Sequence, residues 1–100
     1  MSENVGAFAP PPFEPEDALL RMQRDLRSMG LLERAGRFER RSVVIARVAL
    51  AAGGLEFSIV KRPSRNSPEW QSRTLTNSAA VRDACAEVKK KLAAWNDTDD

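Results

Sequence analysis

The sequence predicts an α+β fold: a three- to four-stranded antiparallel sheet flanked by an N-terminal and a C-terminal helix, both packed on one face. Three patterns lead there. Val43 to Arg62, reading VVIARVALAAGGLEFSIVKR, is the densest β-branched and apolar run in the chain and is broken once by a glycine pair. Leu19, Met22, Leu26 and Met29 recur at spacings of three, four and three, and Val81, Cys85, Val88, Leu92 and Trp95 at four, three, four and three. The first pattern has the period of a pleated strand and the other two the period of a helix. One apolar face on the sheet and one apolar stripe on each helix close a core most simply when both helices lie on the same side.

Taken in order, residues 1–14 have the composition of a flexible arm. Pro10, Pro11 and Pro12 favour polyproline II and are incompatible with helix or ladder pairing, which also makes the arm a weak match to ligands of proline-recognising grooves. A domain then spans residues 15–96. Pro15, Glu16 and Asp17 start the first helix, because proline is tolerated in the first turn and carboxylates favour its positive end. The helix runs from about Pro15 to Met29, with Gly30 following it. A short strand is expected around Phe38, among Arg34, Arg37, Arg40 and Arg41.

In the central run, a fold-back at Ala51 to Gly54 that pairs Leu50 with Leu55 sets Val48 opposite Phe57 and Ala46 opposite Ile59. One register aligns both apolar sets, which favours a hairpin, since a slip of one residue would turn one set to the wrong face. A helix from Ser42 to Ala52 capped by Gly53 is the alternative that the alanine content allows; the β-branched residues weigh against it. Pro63 to Glu69 reads as an exposed loop. Trp70 to Thr76 suits an edge strand, with Trp70, Ser72 and Thr74 on one face and Gln71, Arg73 and Leu75 on the other. Asn77 or Ser78 can cap the last helix, Glu87 and Lys91 form an i,i+4 pair on it, and Asn96 is a residue on which it can stop. Residues 97–100 form an acidic tail.

Composition narrows the function. The 100 residues, 42% hydrophobic and 30% charged, suit one globular domain with a modest core. No apolar run approaches the roughly 18 residues of a membrane span, and the N-terminus has no basic and apolar leader pattern, so a cytoplasmic protein with no membrane partner is expected. There is no histidine, which removes the usual general base and the commonest metal ligand, and there is one cysteine, Cys85, inside an apolar stripe where a thiol is buried and inert. No carboxylate pair, phosphate-binding loop or activated serine stands out. The expectation is a protein that is not an enzyme, with no catalytic residue, cofactor or metal.

Two binding roles remain. Between Arg34 and Arg73 nine cations face three anions, so the middle of the chain carries +6 and the two ends together −4. Arginine donates two bonds to a phosphate, and Arg40, Arg41, Arg62, Arg65 and Arg73 are the candidates for binding nucleic acid or another polyanion. No cluster of stacking aromatics accompanies them along the sequence. The preferred reading is a protein-interaction module that uses an open sheet face or an edge strand, including self-association. In the register above, Ile45 and Val60 lie side by side on the face opposite the core, rimmed by Arg47 and Arg62. Helix, three strands, helix is also the order of double-stranded-RNA-binding domains, and Lys89-Lys90-Lys91-Leu92-Ala93-Ala94 is similar to their Lys-Lys-x-Ala-Ala signature. In that family the lysines begin the last helix and here they lie near its end, so no membership follows.

Overall fold

The computed structural model describes residues 12–98, with side chains described through Trp95. Most of the proline-rich arm, residues 1–11, lies outside the described residues, as do residues 99–100 and the side chains of 97 and 98 in the acidic run. Helix α1 spans Pro15–Ser28, strands β1 to β5 span Leu32–Arg34, Arg37–Arg40, Val43–Ala51, Gly54–Val60 and Trp70–Leu75, and helix α2 spans Ser78–Thr98. The chain is α+β, with one five-stranded antiparallel sheet whose strands lie in sequence order.

The sheet has one strand more than the three to four expected. Phe38 does sit in a strand, β2, fully buried. The extra strand is β1, only three residues long and two of them charged, so it carries no alternation from which to read it. It pairs Glu33 with Phe38 across a tight turn at Ala35 and Gly36.

The central hairpin has the predicted register: Leu50 pairs with Leu55, Val48 with Phe57 and Ala46 with Ile59. Gly53 takes the left-handed backbone of the turn, φ +73°, which costs glycine nothing. Gly54 is required for a different reason. A Cβ there would stand 2.3 Å from the Leu75 carbonyl oxygen, so β4 and β5 can approach at this point only without a side chain.

Both helices pack on one face of the sheet. Met22 and Leu26 from α1 and Val81, Ala84, Cys85, Val88 and Leu92 from α2 join Phe38, Val48, Leu55, Phe57, Ile59 and Leu75 in one buried cluster. Ala18 takes a core place on α1, while Leu19 and Met29 from the predicted stripe are only partly buried. Phe13, just before α1, also packs partly against the core. On α2 the Asn77 carboxamide oxygen accepts the Ala80 N–H at 2.8 Å and so caps the helix. The helix does not stop at Asn96 but continues to Thr98. It starts just beyond the end of β5 and runs back along the sheet, tied to β5 by an Arg73–Glu87 ion pair of 2.8 Å. Its last turns therefore return to the end of the sheet where β3 begins and β4 finishes.

One irregularity decides where Ile45 goes. Phe38 pairs with Ala46 and Glu39 with Val44, which leaves Ile45 as an extra residue between them, a β-bulge. Ala46 and Ile45 are consecutive and both buried, at 0% and 1% exposure, in the same cluster. The bulge turns Ile45 from the outer face to the helix-covered one.

Candidate functional site

The expected apolar patch on the open sheet face does not exist as an exposed surface. Ile45 belongs to the core through the bulge. Val60 does face outward, since it pairs with Trp70 and lies two residues from outward-facing Ser58, but it is 0% exposed. Trp70 lies opposite it, half-buried, and the Arg47 guanidinium sits over the Trp70 ring at 4.0 Å from the centroid. Arg47 is thus engaged with an aromatic ring instead of rimming an apolar patch, and Arg62 lies exposed in the loop after β4.

The five arginines considered for polyanion binding divide differently. Arg40, Arg41 and Arg65 come together at one end of the sheet, around a cleft of about 330 Å³. Arg62 is a neighbour in the same loop as Arg65 but does not line the cleft. Arg73 belongs elsewhere: it is on the helix-covered face of β5, paired with Glu87 and 5.3 Å from the Phe57 ring centroid, so its charge is used in packing α2 on the sheet.

Three elements build the cleft. The first is the β2–β3 turn. Arg40 pairs with Val43 across a two-residue loop, Arg41 and Ser42, whose φ angles are +55° and +69°. Two successive left-handed residues are the geometry of a type I′ hairpin turn, which favours Asn-Gly, and neither Arg nor Ser suits it. The second is the loop between β4 and β5, closed at its base by the Lys61 N–H donating to the Glu69 carbonyl at 2.9 Å. Within it the Ser64 hydroxyl oxygen accepts the Asn66 and Ser67 N–H groups at 3.3 and 3.2 Å, an arrangement that shapes the loop around Arg65. The third is the end of α2, which contributes Trp95. Arg40 reaches the Leu92 carbonyl at 3.5 Å, a long contact between β2 and this end of the helix.

Val43 and Pro63 add apolar surface to the lining, which the buried Ile45 borders. Trp95, expected in the core, is only half-buried there, at the margin of the packed cluster. A ring of cations beside an indole and two aliphatic side chains can hold an anion that carries a planar or apolar part.

The sequence placed Trp95 outside the stretch between Arg34 and Arg73 and Trp70 inside it, but did not show which cations either ring would meet. Trp95 is 30 residues from Arg65, and Trp70, though only five from Arg65 and three from Arg73, is 23 from Arg47, the arginine that it meets. Only the antiparallel register and the return of α2 bring them together.

On the outer face, a second depression of about 340 Å³ lies among Arg37, Arg47 and Glu56. The Ser58 and Ser72 hydroxyls share a 2.7 Å hydrogen bond there. Cys85 is buried between the helices, and its thiol pKa is pushed up to about 11, first by burial and then by the nearby Asp25 charge, so it is a poor nucleophile at neutral pH. Among the described residues no group of three or more Cys, Asp or Glu side chains stands where it could hold a metal ion, and no helix is long and apolar enough to cross a membrane. Compared with protein-family models, with curated proteins and with solved structures, the chain matches none.

Proposed function

We propose that this protein is a non-enzymatic nucleic-acid-binding module that takes the phosphate backbone at the cleft formed by the β2–β3 turn, the β4–β5 loop and the end of α2. The observation that carries this reading is the convergence of Arg40, Arg41 and Arg65 on one concavity beside the Trp95 indole. Guanidinium groups donate in a fixed fork that matches phosphate oxygens, and a concave cationic surface concentrates polyanions. The strained turn adds support. Non-glycine residues held in the left-handed region cost of order 1–3 kcal/mol each and concentrate at functional sites. Arg41 is such a residue, and it lines the cleft.

Titration of labelled oligonucleotides across a salt series tests the reading. Binding should weaken with salt, with a logarithmic slope of about −0.9 per neutralised phosphate on duplex DNA and about −0.7 on single strands. The triple variant Arg40→Gln, Arg41→Gln, Arg65→Gln removes up to three such contacts and should flatten the single-strand slope by about 2. No binding at low salt, or binding that ignores both salt and the variant, would refute it.

A protein-interaction role is the second reading, and one observation favours it: among the described residues, no element covers the face of the sheet opposite the helices. Arg47, Ala49, Ser72 and Thr74 are exposed on it, β1 and β5 are edge strands, and Leu32 on β1 is 58% exposed. An edge strand offers unpaired backbone groups to a second chain. It ranks below the first reading because the apolar anchor on which it rested, Ile45 beside Val60, is buried.

A further inference from the structure

Resting on the nucleic-acid reading, we infer that the ligand is a single strand, and that one of its bases stacks on the Trp70–Arg47 pair on the outer face while phosphates are held at the arginine cleft. Three observations carry this. First, the cleft is small and bounded by a turn, a loop and a helix end; a volume of about 330 Å³ is near the lower limit of small-ligand pockets, about 300–1,000 Å³, and suits a single nucleotide-sized unit. Second, Trp70 is the first residue of β5, directly after the loop that carries Ser64 and Arg65 to the cleft. The stacking pair and the phosphate site are therefore the two sides of one loop, and a flexible backbone can pass from one to the other where a stiff duplex cannot. Third, the pair is already assembled: the exposed Arg47 guanidinium lies over the Trp70 indole, 4.0 Å from its centroid, on a face the helices leave open.

Unspecific single-strand recognition combines these parts, a cationic groove for the backbone and aromatic or guanidinium planes for the bases, because every base has a π-face. A duplex keeps its bases stacked inside and offers nothing to the pair. DNA and RNA single strands share this chemistry, and the 2′-hydroxyl distinguishes them only by direct contact.

The test is fluorescence anisotropy at one low salt concentration with four labelled ligands of one sequence: single-stranded and duplex DNA, and single-stranded and duplex RNA. Single strands should bind about tenfold or more tightly than duplexes. Trp70→Leu should weaken single-strand binding about tenfold and leave duplex binding unchanged, whereas Trp70→Phe, which keeps a ring, should restore most of the loss. The chain has two tryptophans, so in Trp95→Phe the remaining indole emission comes from Trp70 and should be quenched by the single strand. Equal or tighter duplex binding that is sensitive to the cleft arginines would overturn the single-strand inference and leave the nucleic-acid reading standing. Single-strand binding unaffected by Trp70→Leu, with no quenching, would confine Trp70 to covering Val60. Binding of none of the four would overturn both.

Discussion

Cys85 shows how a single side chain reports the packing of two helices. It lies in the groove between them, which is also lined by Asp25 and Ser28 of α1, by Met29 just after that helix and by Lys89 of α2. Its thiol keeps its proton up to a pKa of about 11, against 9.0 for an unperturbed thiol, first because burial disfavours the thiolate and then because Asp25 repels it. The sign follows from proton counts. Below pH 9 folded and unfolded chains both hold the proton, and Cys85 adds no pH dependence. Between about pH 9 and 11 the unfolded chain loses it and the folded chain does not, so stability falls as pH rises through that window. Urea midpoints of the protein and of Cys85→Ala, compared at pH 8 and pH 10.5, should therefore draw closer at the higher pH; a difference that stays constant would mean the thiol is not buried. Ile45 carries the opposite lesson at this scale. Alternation assigned it to the outer face, and for a regular strand that is the correct reading. A bulge adds one residue and reverses the parity of everything beyond it, and nothing in the run VVIARV marks which residue is the extra one.

Among the elements, the strong periodicities were legible and the short or strained segments were not. Both helices and the β3–β4 register followed from apolar spacing, because burial against a core requires that spacing. Strand β1 had no such signature, since Leu32, Glu33 and Arg34 are held by ladder bonds to β2 and by Arg27 Nη1 donating to Glu33 at 2.7 Å across to α1. The β2–β3 turn was equally silent: Arg41-Ser42 contains neither glycine nor asparagine, the residues by which a left-handed turn is recognised. Its unsuitability is testable. A left-handed backbone costs a non-glycine residue about 1–2 kcal/mol, and a glycine substitution gives back about 0.5–1 kcal/mol through the freer unfolded chain. Replacing the pair by Asn-Gly, Arg41→Asn with Ser42→Gly, should thus raise stability by about 1 kcal/mol, or about 4–8 °C in Tm for a domain of this size. The same variant should bind oligonucleotide more weakly, having lost one cleft cation. A lower Tm would mean that Arg41 and Ser42 make contacts worth more than their strain.

For the whole molecule, the fold acts mainly through direction. An antiparallel meander returns the chain to the same end of the sheet at each second turn, and α2 runs the length of the sheet back to that end. The arginines of one hairpin, the serine and arginine of another loop and a tryptophan from the last helix therefore meet although they are spread from residue 40 to residue 95. A charge excess in the middle of the chain was visible beforehand, but which cations converge was not: Arg73, grouped with the others by sequence, serves to hold α2, and Trp95, assigned to the core, lies at the cleft. The central claim is that this convergence is the binding surface. Amide and indole N–H chemical shifts of the full chain, followed by NMR as a short single-stranded oligonucleotide is added at low salt, test it most directly. The account predicts that the shifts concentrate at Arg40 to Val43, at Lys61 to Trp70 and at the Trp95 indole N–H, with β1 and the outer surface of α1 unmoved. Shifts confined to β1 or α1, or none at all at millimolar oligonucleotide, would contradict it.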